Sequence, residues 1–414
     1  MTSMIVAGAT GAIGRTVVQN AIQQPSIYQV VALTRLKNTA ASNYESLFGI
    51  ITAAEASNTD NGGKGVSRKG KTGSGSPAGT VTVTPEEAAK IKPITIDWEE
   101  FTQLWVAKRN SASAAARGAD NSAADAAAAD PMENYRSIFS GHTYAAMCLG
   151  TTRKDAGSAK NFIRCDYDYV TAFTEAVLTY SAPAGLSPDT AFMHHIGDEG
   201  VSKQARVQDS VDSEMNVLAT VKGNAGQSSG TLRVFCQVSA SSASSSSWFL
   251  YVKTKGIADE STVERVHQHN KLTTASATLS PVKLLLLKPG LLERRGKARR
   301  IEKLAKLIVS PIPVETCGAA IVSACKHSPI QHHVQHPATI SAAAEQAKYD
   351  EAEEAQLKKG DDVIAANIRK MPLGKPYMPT KAMHRAGVPS NEPFPHIYEA
   401  TNPMIKDLAS RLTA

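Results

Sequence analysis

Short apolar runs alternate with longer amphipathic segments along most of the chain. The run Met4–Ala7 precedes the helical pattern Ile13–Ile22, and the run Gln29–Leu33 follows it. Short apolar runs are typical of buried strands, whereas longer stretches with apolar residues three or four apart are typical of helices. The alternation therefore predicts an α/β fold, a parallel sheet with helices on both faces. The further predicted elements are, in chain order, Ile94–Ile96, Trp98–Trp105, Thr143–Leu149, Tyr169–Thr179, Thr231–Val238, Trp248–Val266 and Val282–Leu287.

Low-complexity stretches interrupt this alternation. Asn58–Thr80, for example, holds seven glycines and one large aliphatic residue, Val66. Such a segment buries too little apolar surface to offset the entropy lost on ordering. We therefore predict disordered loop insertions in one large domain, residues 1–338, rather than two or three separate domains. The predicted insertions lie near residues 53–90, 107–131 and 183–229.

The chain changes character after this domain, and we predict a helical and proline-rich tail over residues 339–414. Ser341–Lys359 is an Ala/Glu/Gln/Lys segment that ends at Gly360, as a helix with a glycine C-cap does. Met371–Pro403 contains seven prolines among isolated aromatic residues. We interpret it as an extended arm that can pack on the domain or on a protein partner.

Composition excludes two classes of protein. No apolar run approaches the roughly 20 residues that a membrane-spanning helix needs; the leucine run Leu284–Leu287 has four. The five cysteines are an odd number, widely spaced and without a hydrophobic leader before them, so a secreted disulfide scaffold is not expected. We predict reduced thiols and a cytoplasmic protein. Attachment to an organelle surface, such as the outer face of mitochondria, stays open.

The positive charge of the chain is concentrated in one segment. Between Lys283 and Lys306 there are nine basic and two acidic residues, a balance of +7 that equals that of the whole chain. A nucleic-acid-binding protein is expected to be basic more broadly, and no aromatic residue alternates with these arginines. We interpret the basic side chains of residues 291–306 as a solvated helix face; contact with an acidic partner or with an anionic membrane surface is the alternative.

A glycine motif follows the first predicted strand. Gly8, Gly11 and Gly14 lie between that strand and the first predicted helix, in the sequence MIVAGATGAIGRTVV. In this arrangement the first glycine permits a tight turn, the second lets the backbone approach a pyrophosphate, and the third allows close packing. The helix N-terminus then supplies amide donors. The motif predicts dinucleotide binding on a Rossmann-type doubly wound sheet, with a purely structural turn as the alternative.

The residue after the second predicted strand discriminates between cofactors. A site for NAD places Asp or Glu there to bind the ribose 2′-hydroxyl. This chain has Arg35, whose guanidinium suits a 2′-phosphate through charge-assisted hydrogen bonds. Arg35 therefore favours NADP(H) over NAD, although an arginine there can equally be solvated.

Tyr251 and Lys255 are candidate catalytic residues. They are four residues apart on a predicted helix and so lie on one face. A nearby ammonium lowers the pKa of a phenol, which makes the tyrosine a usable general acid or base at a carbonyl or alcohol. Ser239, at the end of the fifth predicted strand, is a candidate to hold the substrate oxygen. It also begins a run of serines, in which its hydroxyl can be incidental.

Four segments resemble the Tat-interacting-protein family of atypical short-chain dehydrogenases/reductases. They are the Gly8–Gly14 motif, Cys148–Val170, Phe249–Gly256 and Lys288–Leu292, and Cys148–Val170 is the most specific of them. The resemblance covers the parts of residues 3–326 outside the insertions.

The resemblance implies roles for further residues. It implies a phosphate loop, Arg35 at the 2′-phosphate, Asp97 beside the adenine, a set of residues along the nicotinamide half, and Tyr251 and Lys255 as the catalytic pair. It also implies that insertions near 183–229 and 270–280 flank the substrate side. The phosphate loop comprises Gly8, Thr10, Gly11, Ala12, Ile13 and Gly14, and the nicotinamide set comprises Leu149, Gly150, Thr151, Thr152, Pro289 and Gly290.

Two functions follow from these residues. The first is an NADP(H)-dependent oxidoreductase that acts on a small carbonyl or alcohol substrate, with Tyr251 as proton donor. The second is a non-catalytic dinucleotide-binding regulatory or scaffold protein. We expect no metal site, because the histidines that follow Cys317 and Cys325 match no tetrahedral ligand spacing. Those histidines are His327, His332, His333 and His336.

Overall fold

The six apolar runs predicted as strands are neighbours in one sheet of the computed structural model. When these six strands are numbered 1 to 6 in chain order, they lie side by side in the sheet in the order 3-2-1-4-5-6. All of these neighbours pair in parallel. This order and direction define the doubly wound dinucleotide-binding fold. The structure describes residues 2–36, 39–53, 79–116, 132–181, 231–274, 281–293, 311–327, 373–385 and 392–412.

The strands are numbered here along the chain, including short ones. They are β1 Thr2–Ala7, β2 Ile27–Thr34, β3 Ile50–Thr52, β4 Val81–Val83, β5 Ile91–Thr95, β6 Tyr144–Met147, β7 Val234–Val238, β8 Lys283–Leu287, β9 Leu292–Glu293, β10 Ile312–Pro313, β11 Lys375–Pro376 and β12 Ile397–Ala400.

The helices are numbered in the same way. They are α1 Ala12–Ile22, α2 Tyr44–Phe48, α3 Pro85–Ala89, α4 Trp98–Ala116, α5 Glu133–Phe139, α6 Arg153–Ala156, α7 Ala159–Ile163, α8 Tyr169–Ser181, α9 Leu250–Thr274, α10 Val314–Lys326, α11 Lys381–Arg385 and α12 Asn402–Ser410, with a π-helical turn at Arg164–Asp168.

Alternating side chains of the strands enter two separate apolar cores, one on each face of the sheet. Helices α1, α10 and α12 cover one face, and α4, α5, α8 and α9 cover the other. Helices α1 and α10 approach closely because Gly318 faces Thr16, whose hydroxyl donates a 3.1 Å hydrogen bond to the Val314 carbonyl. Both faces are therefore covered, as the alternating pattern predicted.

The described part of the C-terminal extension belongs to this same sheet. Strand β12 pairs in parallel with β8, and β11 pairs antiparallel with β12 at the edge. Helix α12 packs on α10, and Ile405 and Leu408 are buried there. The described part of the proline-rich arm therefore packs on the domain, and contact with a protein partner stays a prediction. The predicted boundary at residues 338–339 and the predicted helix Ser341–Lys359 lie outside the described residues.

Helices and a strand form at the ends of two predicted insertions, where the structure describes them. Within residues 53–90, β4 and α3 form, and the hydroxyl of Thr84 and the carboxylate of Glu87 close a capping box at the start of α3. Within residues 107–131, α4 continues to Ala116. The middle of each insertion lies outside the described residues.

The insertion near residues 183–229 begins and ends at the amino-terminal edge of the sheet. Ser181 ends α8, and its carbonyl accepts a 2.9 Å hydrogen bond from the Thr231 amide, three residues before β7 begins. The segment 275–280 likewise joins the end of α9 to the start of β8. Ligands of such sheets bind at the opposite, carboxyl-terminal edge. The points of attachment of these two insertions therefore lie at the edge opposite the expected substrate side, and the insertions themselves lie outside the described residues. In the part of the chain that is described, no helix has the length and apolarity needed to span a membrane.

Candidate functional site at the carboxyl edge of the sheet

The glycine motif forms a tight turn between β1 and α1. Gly8 has a φ of +73°, in the left-handed region that favours glycine, and a Cβ there would lie 2.8 Å from the backbone of Cys148 and Leu149. A Cβ on Gly14 would overlap the carbonyl of Gly8. Two of the three glycines are thus required by backbone contacts between β1, α1 and the end of β6.

The first turn of α1 is open toward the carboxyl edge. The Gly11 amide donates a 2.9 Å hydrogen bond to the Gly8 carbonyl, and a Cβ on Gly11 would meet only that oxygen, at 3.1 Å. Gly11 and Ala12 are exposed, no acidic residue lies in the first turn, and no side chain caps it. Ile13 is buried and anchors the turn. The turn lies where the strand order reverses, between β2 and β6, and it fits a pyrophosphate.

Arg35 and Asp97 end the two strands beyond this turn. Arg35 follows β2, and its side chain is exposed. Burial raises the pKa of the Cys165 thiol, and the positive charge of Arg35 opposes this increase. Asp97 is exposed, and its Oδ1 accepts the amides of Glu99 and Glu100 at 2.9 and 3.2 Å, so it caps α4.

The loop after β6 carries four residues of the predicted nicotinamide set. Leu149, Thr151 and Thr152 are half-buried, and Gly150 is exposed. The Thr151 amide donates a 2.9 Å hydrogen bond to Asp166 Oδ2, and the Thr152 hydroxyl caps α6 by accepting the Asp155 amide at 3.2 Å. The loop conformation is therefore fixed by a carboxylate from the π-helical turn.

The same carboxylate pairs with the predicted catalytic lysine. Lys255 Nζ lies 2.8 Å from Asp166 Oδ1, and both side chains are buried. Burial alone lowers the pKa of Lys255, but Asp166, Tyr251 and Asp259 together raise it above the ordinary value, so Lys255 stays protonated. A Cβ on Gly150 would lie 3.4 Å from Lys255 Nζ, so the ammonium lies directly beneath the loop.

Tyr251 lies one turn before Lys255 at the start of α9. Its side chain is 43% exposed, and its ring centroid lies 5.8 Å from that of Phe162 on α7. Tyr251 and Lys255 are four residues apart on α9 and therefore share one helix face. The structure thus brings Tyr251, Lys255, Gly150 and Phe162 together at the carboxyl edge.

Ser239 is buried beside this pair, and its hydroxyl is engaged. It donates a 2.7 Å hydrogen bond to Asp259 Oδ2, and the Gln237 amide donates a 3.0 Å hydrogen bond to Asp259 Oδ1. Burial raises the pKa of Asp259 to about 6, against the opposing effects of Lys288 and these hydrogen bonds. Lys288 Nζ lies 3.8 Å from Asp259 Oδ2.

Pro289 and Gly290 follow β8 and connect the site to the C-terminal extension. The Pro289 carbonyl accepts a 2.9 Å hydrogen bond from the Ser241 amide. The Gly290 amide donates a 2.8 Å hydrogen bond to Asn402 Oδ1, at the start of α12. Every predicted site residue therefore lies in a segment that begins or ends at the carboxyl edge of the sheet.

Three charged residues of the site were missed from the sequence: Asp166, Asp259 and Lys288. Asp166 lies inside the segment Cys148–Val170, and its buried partner is Lys255. Asp259 lies four residues after Lys255, on the same side of α9. Lys288 lies in the recognised segment Lys288–Leu292 but was counted only as part of the basic stretch.

No group of three or more His, Cys, Asp or Glu side chains suitable for a metal ion occurs among the described residues. His327 Nε2 donates a 2.9 Å hydrogen bond to the Arg411 carbonyl. The other histidines of the predicted cluster lie outside the part of the chain that the structure describes.

The sequence matches no protein-family model and no curated protein. Among solved structures, the chain is similar to a short-chain dehydrogenase from Streptomyces avermitilis, with 11% identity, a TM-score of 0.37, and 87% of this chain and 96% of the other covered. It is also similar to an NADH-dependent reductase responsible for alginate metabolism, with 10% identity, a TM-score of 0.37 and coverage of 79% and 89%.

A third similar structure is UDP-glucuronic acid 4-epimerase from Bacillus cereus in complex with NAD. The identity is 10%, the TM-score 0.34, and the match covers 78% of this chain and 73% of the other. At these scores no family is assigned, and the resemblance to the Tat-interacting-protein family stays a prediction. The fold is assigned from the order and direction of the strands.

Proposed function

We propose that the chain binds a nicotinamide dinucleotide, preferentially NADP(H), and acts as an oxidoreductase on a carbonyl or alcohol substrate. The observation that carries the proposal is the turn at Gly8–Gly14, which leaves the first amides of α1 uncovered at the point where the strand order reverses. A helix N-terminus so placed supplies amide donors and a partial positive charge to a pyrophosphate.

The remaining binding residues extend from this turn in two directions. On one side, Arg35 would pair with the adenosine 2′-phosphate, and Asp97 would lie beside the adenine. On the other side, the loop from Leu149 to Thr152 and the turn at Pro289–Gly290 would hold the nicotinamide half. These positions end adjacent strands of the sheet, which gives the continuous crevice that a dinucleotide requires.

The chemistry at the nicotinamide end would use the helix α9. A bound nicotinamide supplies or accepts the hydride. Tyr251 would donate the proton to the carbonyl oxygen, and the protonated Lys255 would stabilise the negative charge left on the phenol oxygen. Ser239 would contact the same substrate oxygen after its hydroxyl turns away from Asp259.

One observation favours the alternative, a dinucleotide-binding regulatory or scaffold protein. The ammonium of Lys255 is paired with Asp166, and the hydroxyl of Ser239 is bonded to Asp259. Two of the three proposed catalytic groups thus have partners inside the protein. In the alternative, these contacts serve folding, and the phosphate loop serves only binding.

The proposal is tested with the purified full-length chain in two steps. The first step is a thermal-shift titration with NADPH and NADH, in which a ligand that binds the folded state raises the Tm as its concentration increases. The second step compares NADPH oxidation over a panel of aldehydes and ketones by the wild type, Tyr251→Phe and Tyr28→Phe. Tyr28 is a matched control because its side chain is 48% exposed and lies on β2.

We expect NADPH to raise the Tm more than NADH does. We also expect Tyr251→Phe to lower the rate at least 100-fold without changing NADPH binding, because the phenol acts only in proton transfer. Tyr28→Phe should keep the wild-type rate. Binding without turnover by the wild type would select the scaffold alternative, and no effect of either nucleotide on the Tm would refute both.

A further inference from the structure

A cavity of about 230 Å³ lies beside α9, one turn beyond Lys255. Three parts of the chain form its wall: the serine loop (defined here as residues 239–247), the face of α9 that carries Gly256, Asp259 and Glu260, and the C-terminal arm from Tyr377 to Ala382. Lys288, the residue that follows β8, lines the side of the cavity next to the sheet. The C-terminal extension therefore completes a cavity at the carboxyl edge, where the proposed reaction takes place.

The wall is held together by specific contacts. A Cβ on Gly256 would overlap the backbone of Ser244 and Ser245, so α9 and the serine loop approach as closely as glycine allows. Glu260 Oε1 accepts a 2.5 Å hydrogen bond from the Ser245 hydroxyl and another of 2.5 Å from the Thr380 hydroxyl. One carboxylate thus ties both the serine loop and the arm to α9.

The charges of the wall are balanced by one another. Lys288 Nζ lies 3.0 Å from Glu399 Oε2 and 3.8 Å from Asp259 Oδ2, and it lies 5.4 Å from the centroid of the Tyr377 ring. Lys381 and Glu260 add one further charge of each sign to the lining. No excess positive charge is available for an anion. Most side chains of the lining carry a hydroxyl group or a charge, so an alkyl chain would bury little apolar surface there.

We propose that this cavity binds an uncharged, polyhydroxylated group, that is, the sugar-like or polyol part of the substrate. The assignment of this group to a substrate rests on the proposed oxidoreductase function. Hydroxyl groups both donate and accept hydrogen bonds, and the wall offers acceptors on Asp259 and Glu260 and donors on Ser246 and Lys288.

The cavity is coupled to the reacting end of the site through one hydrogen bond. Asp259, in its wall, accepts the hydroxyl of Ser239, the residue proposed to contact the substrate oxygen. Gly256, also in the wall, directly follows Lys255. A polyol bound in the cavity contacts Asp259 and thereby influences the position of Ser239, which makes the cavity a specificity-determining part of the site.

The test measures ligand binding by saturation-transfer NMR on the full chain, with and without NADPH. The probes are sorbitol and D-xylose as uncharged polyhydroxylated ligands, 1-hexanol as an apolar one, and 3-phosphoglycerate as an anionic one. Ala382→Trp places an indole in the cavity. Arg385→Trp is its matched control, because Arg385 lies on the same short helix α11, is exposed and does not line the cavity. Ser246→Ala removes one lining hydroxyl and leaves the arm unchanged.

We expect transfer to sorbitol or D-xylose and little to 1-hexanol or 3-phosphoglycerate. Ala382→Trp should abolish the polyol signal, Ser246→Ala should weaken polyol binding on the order of tenfold, and Arg385→Trp should leave it intact. The proposal is overturned if no polyol binds, if hexanol or phosphoglycerate competes for the same site, or if neither Ala382→Trp nor Ser246→Ala affects the polyol signal. Failure of this proposal and failure of the oxidoreductase function are distinguishable. Polyol binding is measured without nucleotide, and nucleotide binding is measured separately by the Tm titration with NADPH.

Discussion

Lys255 Nζ and Asp166 Oδ1 form a buried ion pair 2.8 Å long beneath the loop after β6. The pair joins helix α9 to the loop that would hold the nicotinamide, because Asp166 Oδ2 also accepts a hydrogen bond from the Thr151 amide. The lysine of the Tyr251–Lys255 pattern therefore has a structural task in the folded chain before any ligand binds.

Asp166→Asn should destabilise the protein, because it leaves the Lys255 ammonium buried without its counter-charge. Loss of one partner of a buried pair costs about 3–5 kcal/mol. Urea unfolding at pH 7 measures the difference. The control is Glu99→Gln, which removes a half-exposed partner of Arg164 and should cost less than about 1 kcal/mol. Equal costs for the two variants would contradict the buried pair, and Asp166→Asn combined with Lys255→Met should recover stability.

Gly14→Ala and Gly11→Ala should differ in their effect on stability. The added methyl group overlaps the Gly8 carbonyl in the first variant, but in the second it meets one oxygen at 3.1 Å. Overpacking of this kind costs about 1–3 kcal/mol, so we expect that loss for Gly14→Ala and less than half of it for Gly11→Ala. Both should weaken NADPH binding, Gly11→Ala because the methyl group enters the space for the pyrophosphate. Urea unfolding and NADPH titration measure the two effects, and equal stability losses would contradict the described turn.

Arg35→Ser should change the preference between the two nucleotides. Because Arg35 is exposed at the end of β2, removing it should leave stability within about 0.5 kcal/mol of the wild type. A charge-assisted bidentate contact to a 2′-phosphate is worth about 1.5–3 kcal/mol, so the Kd for NADPH should rise on the order of tenfold to a hundredfold. The Kd for NADH is the internal control and should stay unchanged. Parallel weakening of both nucleotides would show that Arg35 does not discriminate between them.

The sheet could be predicted from the sequence because its strands are buried on both faces. Runs such as Met4–Ala7 are then continuously apolar, and each is followed by a helix long enough to show its period. Strand β12 could not be found in this way. Its residues Ile397–Ala400 include the polar Glu399, whose carboxylate is neutralised by Lys288. A pairing across more than 100 residues of chain leaves no local pattern.

The candidate site could be predicted only in part for a similar reason. Two local motifs could be recognised because the spacing of their residues determines how those residues are arranged. Their residues are Gly8 and Gly14 in one motif and Tyr251 and Lys255 in the other. Asp166, in contrast, acts through two partners that are distant in sequence, and a single aspartate in a helical segment is most often a solvated one. Its burial follows from the packing of the π-helical turn against α9, which only the folded structure shows.

The free energy of unfolding should depend on pH in a way that reflects the titration of Asp259. Its pKa is raised from 3.8 to about 6 by burial, opposed by Lys288, Ser239, Lys255 and Gln237. Between these two pH values the folded protein keeps a proton that the unfolded chain has lost. The stabilising contribution of this proton is therefore full below about pH 4, falls as the pH rises, and is absent above about pH 6.

Asp259→Asn removes this titration. The difference in the free energy of unfolding, variant minus wild type, should become more positive by about 2.5 kcal/mol between pH 4 and pH 7, since the shift is roughly two pKa units and a small part of the contribution is already lost at pH 4. Urea unfolding at the two pH values measures it. Glu133→Gln is the control, because Glu133 is exposed and pairs with Arg136, and its difference should vary by less than about 1 kcal/mol. A constant difference for Asp259→Asn across this range would exclude the raised pKa.

Ile397→Ala should show that the C-terminal strand is part of the core of the domain. Ile397 is fully buried on β12, opposite Leu284 of β8, and the Leu284 amide donates a 2.9 Å hydrogen bond to the carbonyl just before it, that of His396. Truncation of a buried isoleucine costs about 2–5 kcal/mol. Met378→Ala, in the same arm but at a 44% exposed side chain, should cost less than about 0.5 kcal/mol. Urea unfolding, monitored by far-ultraviolet circular dichroism, measures the free energy of unfolding of both variants.

A second variant distinguishes the strand from a loosely attached arm. A chain that ends at residue 372 lacks β11, β12 and α12, and it exposes the hydrogen-bonding edge of β8, whose residues Leu284–Leu287 are all buried in the full chain. Exposed apolar edge strands associate with one another, so this chain should aggregate at concentrations at which the full chain stays monodisperse in light scattering. If the shortened chain remained soluble, and Ile397→Ala unfolded at the wild-type urea concentration, β12 would not belong to the sheet in solution. The cavity beside α9 would then lose the wall that the arm provides.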